Sequence, residues 1–210
     1  MSRLTPRGRE IVLAARALVE ESGPAALTMR ALADHLGIKA PSLYKHFPDK
    51  AAVEAEVIAL GLLETAEALE AAEEHFARSA PSTPSTPSVP STPPTPSVPS
   101  VPFAPEPDSA ADEPRTLLAA LARAYRADAL AHPHVYLLAT ERPLPRHALP
   151  EGLEARAAMP LMRACDYDVD RARAVWAFAH GMVSLEIHGR FPDGADLAAA
   201  WRAGVRALER

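Results

Sequence analysis

Apolar residues recur every three to four positions along most of the chain, and no strand-like alternation or hairpin signal interrupts them. Leu4, Ile11, Ala15, Leu18 and Val19 share one face of a first helix. Gly23-Pro24 ends it, with the glycine available for a left-handed cap and the proline unable to continue. Thr28 is an N-cap for a second helix, along which Met29, Leu32, Ala33 and Leu36 follow i, i+3, i+4, i+7. Gly37 then breaks the chain, and Pro41 suits the first turn of a third helix ending near Phe47-Pro48. Asp49 can cap a long fourth helix reaching about Ser79.

The periodicity resumes behind Asp112-Glu-Pro, a capping group ahead of Leu118, Leu121, Ala122 and Tyr125. His132-Pro133 restarts the chain into Val135–Ala139, and Pro143, Pro145 and Pro150 mark an irregular connection. A helix around Glu151–Ala164 follows, with Pro160 expected to kink it. Two strong helices close the sequence. The first, about Val169–Gly189, carries the stripe Ala172, Trp176, Ala179, His180, Val183 and Ile187; the second starts at Asp193 and presents Leu197, Trp201, Val205 and Leu208. The predicted fold class is all-α.

Composition divides this helical chain into parts. Between residues 80 and 109, prolines at 81, 84, 87, 90, 93, 96, 99 and 102 alternate with Ser, Thr and Val. Proline every third residue matches polyproline II, which has no internal hydrogen bonds, so the segment reads as a solvated, semi-stiff insertion. Docking of this segment in an aromatic groove of a partner is the alternative. The parts are therefore 1–50, a helix-turn-helix domain; 51–79, a connecting helix; 80–110, a flexible Pro/Ser/Thr-rich insertion; and 111–210, a second helical domain.

A net charge of −5 is unexpected for a nucleic-acid binder until it is divided by position. Residues 1–50 hold eight Lys/Arg against five acids, a local charge of +3, and the remainder carries −8. That asymmetry suits a small polyanion-binding head on an acidic body, though +3 is modest. One cysteine, Cys165, excludes an intrachain disulfide, and no run of about 18 uncharged apolar residues suggests a membrane span. A basic start followed by an apolar patch that Arg16 interrupts reads as an amphipathic helix, not a signal peptide, and the simplest localisation is cytoplasmic.

The informative stretch is residues 28–47, T-M-R-A-L-A-D-H-L-G-I-K-A-P-S-L-Y-K-H-F. Two short helices joined at a glycine form a helix-turn-helix when their inner faces pack. Met29, Leu32, Leu36, Ile38, Leu43 and Phe47 supply that inner face. The outer face of the second helix keeps Lys39, Ala40, Ser42, Tyr44, Lys45 and His46, a mixture of small side chains, hydroxyls and cations that suits a major groove. Ala40 and Pro41 offer apolar contacts, for example to a thymine methyl; Lys39 and Ser42 are candidate base readers; Thr28, Tyr44, His46 and Lys50 are candidate phosphate donors, and Arg30 lies beside them.

Residues 8–53 resemble the DNA-binding domain of TetR-family transcriptional regulators, through I-V-L-A-A-R-A-L-V-E-E-S-G, then A-L-T-M-R-A-L-A-D-H-L-G-I, then A-P-S-L-Y-K-H-F-P-D-K-A-A-V, with L-Y-x-H-F-x-x-K the specific element. W-A-F-A-H-G-M-V-S-L-E-I-H-G-R-F, residues 176–191, resembles a subgroup with a Trp-His-Gly signature. The resemblance implies an all-helical homodimer, a fourth helix linking the DNA-reading head to a C-terminal effector pocket, and a dimer interface built from the last two helices. It places Thr28, Tyr44, His46 and Lys50 at phosphates and Lys39, Ala40, Ser42 and Lys45 near bases. The expected partners are double-stranded operator DNA, a small-molecule effector and a second copy of the chain. The proline-rich insertion departs from the family pattern, in which that connection is short.

Tyr125, Tyr136, Trp176 and His180 are the effector-pocket candidates, and Val183, Ile187, Leu197, Trp201 and Val205 the dimer-interface candidates. At Trp176 and His180 a packed core pair with a hydrogen-bonded imidazole is the favoured reading, and a ligand-facing role the alternative. His132 and His134 lack companion ligands, so neither a metal nor a cofactor is expected. Asp166 beside Cys165 disfavours a thiolate, so that cysteine is expected to be buried or inert. No Ser-His-Asp set, phosphate-binding glycine loop or paired catalytic carboxylate stands out, which argues against an enzyme. The competing class is a helix-turn-helix interaction or scaffold module with the proline-rich segment as its docking element.

Overall fold

Each predicted helix forms because its apolar stripe finds a partner stripe. A computed structural model describes residues 4–79 and 114–209; the proline-rich insertion and the docking role considered for it lie outside the described residues. The helices are α1 (Pro6–Ser22), α2 (Met29–His35), α3 (Ala40–Leu43), α4 (Lys50–Ser79), α5 (Leu117–Ala131), α6 (Pro133–Thr140), α7 (Leu153–Ala164), α8 (Val169–Ile187) and α9 (Leu197–Leu208). Among the described residues there is no strand.

Caps set the helix starts. The Thr5, Thr28 and Asp49 side chains accept from the Gly8, Ala31 and Ala52 amides at 3.0, 3.0 and 2.8 Å. Gly23 ends α1 with φ 80° and ψ 164°, so it does use a positive φ, but not the left-handed helical cap expected. The third helix is shorter than predicted. After Leu43 the chain continues as turns, with His46 and Phe47 amides both donating to the Leu43 carbonyl, because Pro48 disfavours helical geometry at the residue before it. Thr116 caps α5, and Asp112 and Glu113 of the capping group expected there lie outside the described residues. Asp196, not Asp193, caps α9: Asp193 and Gly194 (φ 78°) form a turn closed by Ala195 N–H to the Pro192 carbonyl.

Two cores result. The first gathers Ile11, Val12, Ala15, Val19, Leu27, Leu32, Leu43, Phe47, Val53, Val57 and Ile58, and it also contains Val135 and Leu138 of α6. The head is thus packed on two pieces of the body, the start of α4 and the short helix α6. The second core joins α5, α7, α8 and α9 through Leu118, Ala129, Cys165, Val175, Ala179, Val183, Trp201 and Val205. Cys165 is fully buried, and burial pushes its thiol pKa up, in keeping with the inert role expected. An ion pair closes this second core: Arg126 donates to both Glu186 carboxylate oxygens (2.6–3.0 Å), and the Trp201 indole N–H donates to Glu186 Oε1 at 2.6 Å.

Candidate nucleic-acid interface and effector cavity

In the head, the inward residues are fixed and the outward ones are free. Leu32 and Leu43 are wholly buried and Phe47 nearly so, which locks α2 against the segment from α3 to Phe47. On the outside, Thr28, Arg30, Lys39, Pro41, Tyr44, Lys45 and His46 are exposed, while Ala40, Ser42 and Lys50 are partly so. All ten predicted DNA-facing residues therefore have surface to offer, and Tyr44 shows more than half of its own. Thr28 accepts from Ala31, which leaves its hydroxyl proton available to a phosphate. Two of the cations are not idle: Lys50 Nζ lies 3.1 Å from Glu54 and Arg30 Nε 3.9 Å from Asp34. A phosphate would have to compete with those carboxylates.

The body holds a cavity of about 740 Å³ between α4, α5, α6, α7 and α8. Its volume lies within the rough 300–1,000 Å³ range of small-molecule sites. All four predicted pocket residues line it. Tyr136 is the hub: its hydroxyl lies 3.0 Å from the Tyr125 hydroxyl and 2.6 Å from His180 Nδ1. With Nδ1 as acceptor, His180 takes a hydrogen bond from the Tyr136 hydroxyl, and Tyr136 in turn accepts from Tyr125. Burial pushes both tyrosine pKa values up, so both phenols stay protonated. Trp176 stacks on His180 at 5.7 Å between ring centroids. It is 53% exposed, so the expected core pair is corrected: His180 is hydrogen-bonded inside, but Trp176 lines the cavity with half of its surface still open to solvent.

Sequence reasoning missed the polar groups that join head to body. Glu20 of α1 accepts from the His134 and Val135 amides at 3.4 and 3.2 Å, and its carbonyl lies 2.8 Å from His134 Nδ1. A head carboxylate thereby caps the N-terminus of α6, whose residue Tyr136 lines the cavity. This also occupies His134, one of the two histidines weighed as metal ligands; among the described residues no group of three or more His, Cys, Asp or Glu gathers as a metal site. Arg16 of α1 donates to Glu64 of α4 at 2.7 Å, and Glu64 also lines the cavity.

The dimer candidates land differently. Val183, Trp201 and Val205 are at most 6% exposed within a single chain, and Ile187 packs partly on the same core. Their apolar stripe faces α5 and the facing helix of the same chain, so it leaves little surface for a second copy. Leu197 is partly exposed.

Two family descriptions match this chain: "Bacterial regulatory proteins, tetR family" over residues 11–57, and "Tetracyclin repressor-like, C-terminal domain" over residues 118–208. The chain belongs to the TetR family. Both of its helical parts carry the family's domains, which makes it a DNA-binding transcriptional regulator and not an enzyme. Solved structures share the fold. The regulatory protein SCO4313 is 24% identical, with 96% of this chain and 94% of that chain covered at a TM-score of 0.63. A protein from Rhodococcus sp. RHA1, of unknown function, is 20% identical, with 100% and 96% covered at 0.66. No curated protein matches the sequence. Among the described residues, no helix of this TetR-family chain is long and apolar enough to cross a membrane.

Proposed function

We propose that this TetR-family chain is a cytoplasmic homodimeric repressor that binds a palindromic operator and releases it when a small molecule fills the cavity. The observation that carries this reading is the double duty of α6. Val135 and Leu138 belong to the head's core while Tyr136, one and two residues away from them, lines the cavity. A ligand that displaces Tyr136 therefore acts on an element the head is packed against and caps. Two symmetric heads need half-sites about 34–36 Å apart, or a multiple. An effector that favours the released geometry by a few kcal/mol is sufficient to empty the operator.

Dimerisation through α8 and α9 is supported by the face these helices leave uncovered. Ala174, Ala177 and Leu185 on α8 and Ala200, Ala203 and Ala207 on α9 are exposed, and a Cβ at Gly181 would meet nothing within 4 Å. Small, uncharged side chains allow two such pairs to approach closely.

The test is binding to DNA from the gene's own promoter region. Sequence-preferring, salt-sensitive binding is expected. Tyr44→Phe should weaken binding to every sequence alike, whereas Lys39→Ala or Ser42→Ala should change which sequence is preferred. Binding insensitive to both salt and sequence would refute the operator reading.

A further inference from the structure

The charged groups in the cavity wall are not equivalent. Arg146 pairs with Glu154 at 2.9 Å, Arg173 with Asp170 at 3.1 Å, and Glu64 with Arg16 at 2.7 Å. Arg142 sits exposed on the loop after α6, where water solvates it. Asp128 of α5 is the exception. It is largely shielded from solvent, it lines the cavity, and among the described residues no cationic nitrogen lies within 4.0 Å of it. Its carboxylate accepts from the Thr65 hydroxyl, 2.6 Å from Oδ2. Burial raises the Asp128 pKa, aided by Glu64 and opposed by the Thr65 bond and by the fields of His132 and Arg16. A partly buried carboxylate with no cation in contact is costly in its ionised form, since His132 and Arg16 act on it only from a distance, and a cation brought into contact offsets part of that cost.

The neighbouring surface is aromatic. Tyr125 lies one turn before Asp128 on the same helix, and its ring meets that of Tyr136 edge-on at 6.1 Å. Tyr136 and His180 follow at 5.8 Å, and Trp176 stacks beyond. Ring faces within about 6 Å attract positive charge, most strongly where water is excluded. An anion seated beside Tyr125 would lie against Asp128, and the wall's arginines are either exposed or already paired with carboxylates. A neutral ligand would desolvate Asp128 further and give nothing back.

Resting on the effector reading above, we propose that the ligand class is an organic cation. It would be an amine or amidine on an apolar, ring-bearing body, with its N–H donors on Asp128 and its body along Tyr125, Tyr136 and Trp176. The position has a regulatory consequence. Glu64 shares the wall with Asp128 and is held by Arg16 of the head, so a cation placed there competes with Arg16 for carboxylate charge.

The experiment uses the full chain and two dyes, cationic rhodamine 6G and uncharged Nile red, titrated by fluorescence polarisation. Each dye is also assayed for release of promoter DNA. Rhodamine 6G should bind about tenfold or more tighter than Nile red, the size of one charge-assisted hydrogen bond. Asp128→Asn should remove that advantage while Nile red binds at least as tightly as before, because the carboxylate's desolvation cost is gone; cooperative thermal melting shows that the variant is folded. Equal affinity for the two dyes, or a rhodamine preference that survives Asp128→Asn, overturns the cation assignment. If Nile red alone binds and releases DNA, the effector reading stands and only the cation assignment falls. If neither dye binds nor releases DNA, both fall.

Discussion

Gly61→Ala is the substitution that addresses the coupling between cavity and head most directly. Gly61 lies on α4, in the cavity wall, where α6 crosses it. A Cβ built there would stand 2.8 Å from Val135 Cγ1. Ordinary carbon contact needs about 3.5 Å, so the two helices must separate by about 0.7 Å. Val135 is buried and β-branched, so its side chain cannot simply rotate aside. Alanine in place of a helical glycine gains roughly 1 kcal/mol of helix propensity, and overpacking costs roughly 1–3 kcal/mol. Net stability should therefore fall by roughly 0–2 kcal/mol. The larger effect is on function. If induction works through α6 as proposed, parting α4 from α6 should mimic it, so the variant should behave as if partly induced. Couplings of this kind are worth about 1–3 kcal/mol, which corresponds to operator binding weakened roughly 5- to 150-fold. Fluorescence anisotropy on a labelled promoter fragment, beside thermal melting, measures both quantities. Adding Val135→Ala should restore much of the lost affinity by removing the atom that clashes. Unchanged operator binding together with a raised melting temperature would refute the reasoning, because it would show that Val135 yields freely.

Two further predictions concern the body. Glu186→Gln keeps an acceptor for Trp201 but leaves Arg126 without its counter-charge; because Arg126 is about 31% exposed, the expected cost is reduced from the roughly 3–5 kcal/mol of a fully buried pair to about 2–3 kcal/mol. Thermal melting should show a drop of roughly 4–12 °C. For Asp128, the raised pKa means that the folded state holds its proton more tightly than the unfolded chain. Its contribution to stability is therefore lost as pH rises from the ordinary carboxylate range through the raised value. Asp128→Asn should melt higher than the parent at neutral pH, and this advantage should vanish below the ordinary carboxylate range; a constant difference across pH would contradict the assignment.

The head was legible in the sequence because its determinants are local. Thr28, Gly37, Pro41 and Leu43-Phe47 lie within a few residues of what they cap, turn or pack against. The cavity was half legible. Tyr125, Tyr136 and His180 could be named as candidates, but their mutual hydrogen bonds depend on how α5, α6 and α8 converge. The head–body junction left no readable trace, since Glu20 and the α6 amides it caps are over a hundred residues apart in sequence. The stripe expected at the dimer interface packs within the chain for a physical reason. An apolar stripe such as Val183, Trp201 and Val205 marks burial without saying against what, and here the same chain supplies the partner. The small residues beside it, Ala174 and Ala177, carry no hydrophobic signal strong enough to be read.

The cap that Glu20 places on α6 bears on how such proteins can be taken apart and recombined. A body expressed without its head would begin α6 with bare amides and with Val135 and Leu138 facing water, so its cavity would differ from that of the intact chain. Ligand screens on the isolated C-terminal half would then report on a different pocket. The same holds for hybrid sensors that graft a foreign DNA-reading head onto this body. On the proposed coupling, such a graft should transmit a signal only where its first helix supplies a carboxylate at the place of Glu20 and a cation at the place of Arg16, because those two α1 side chains join head to body.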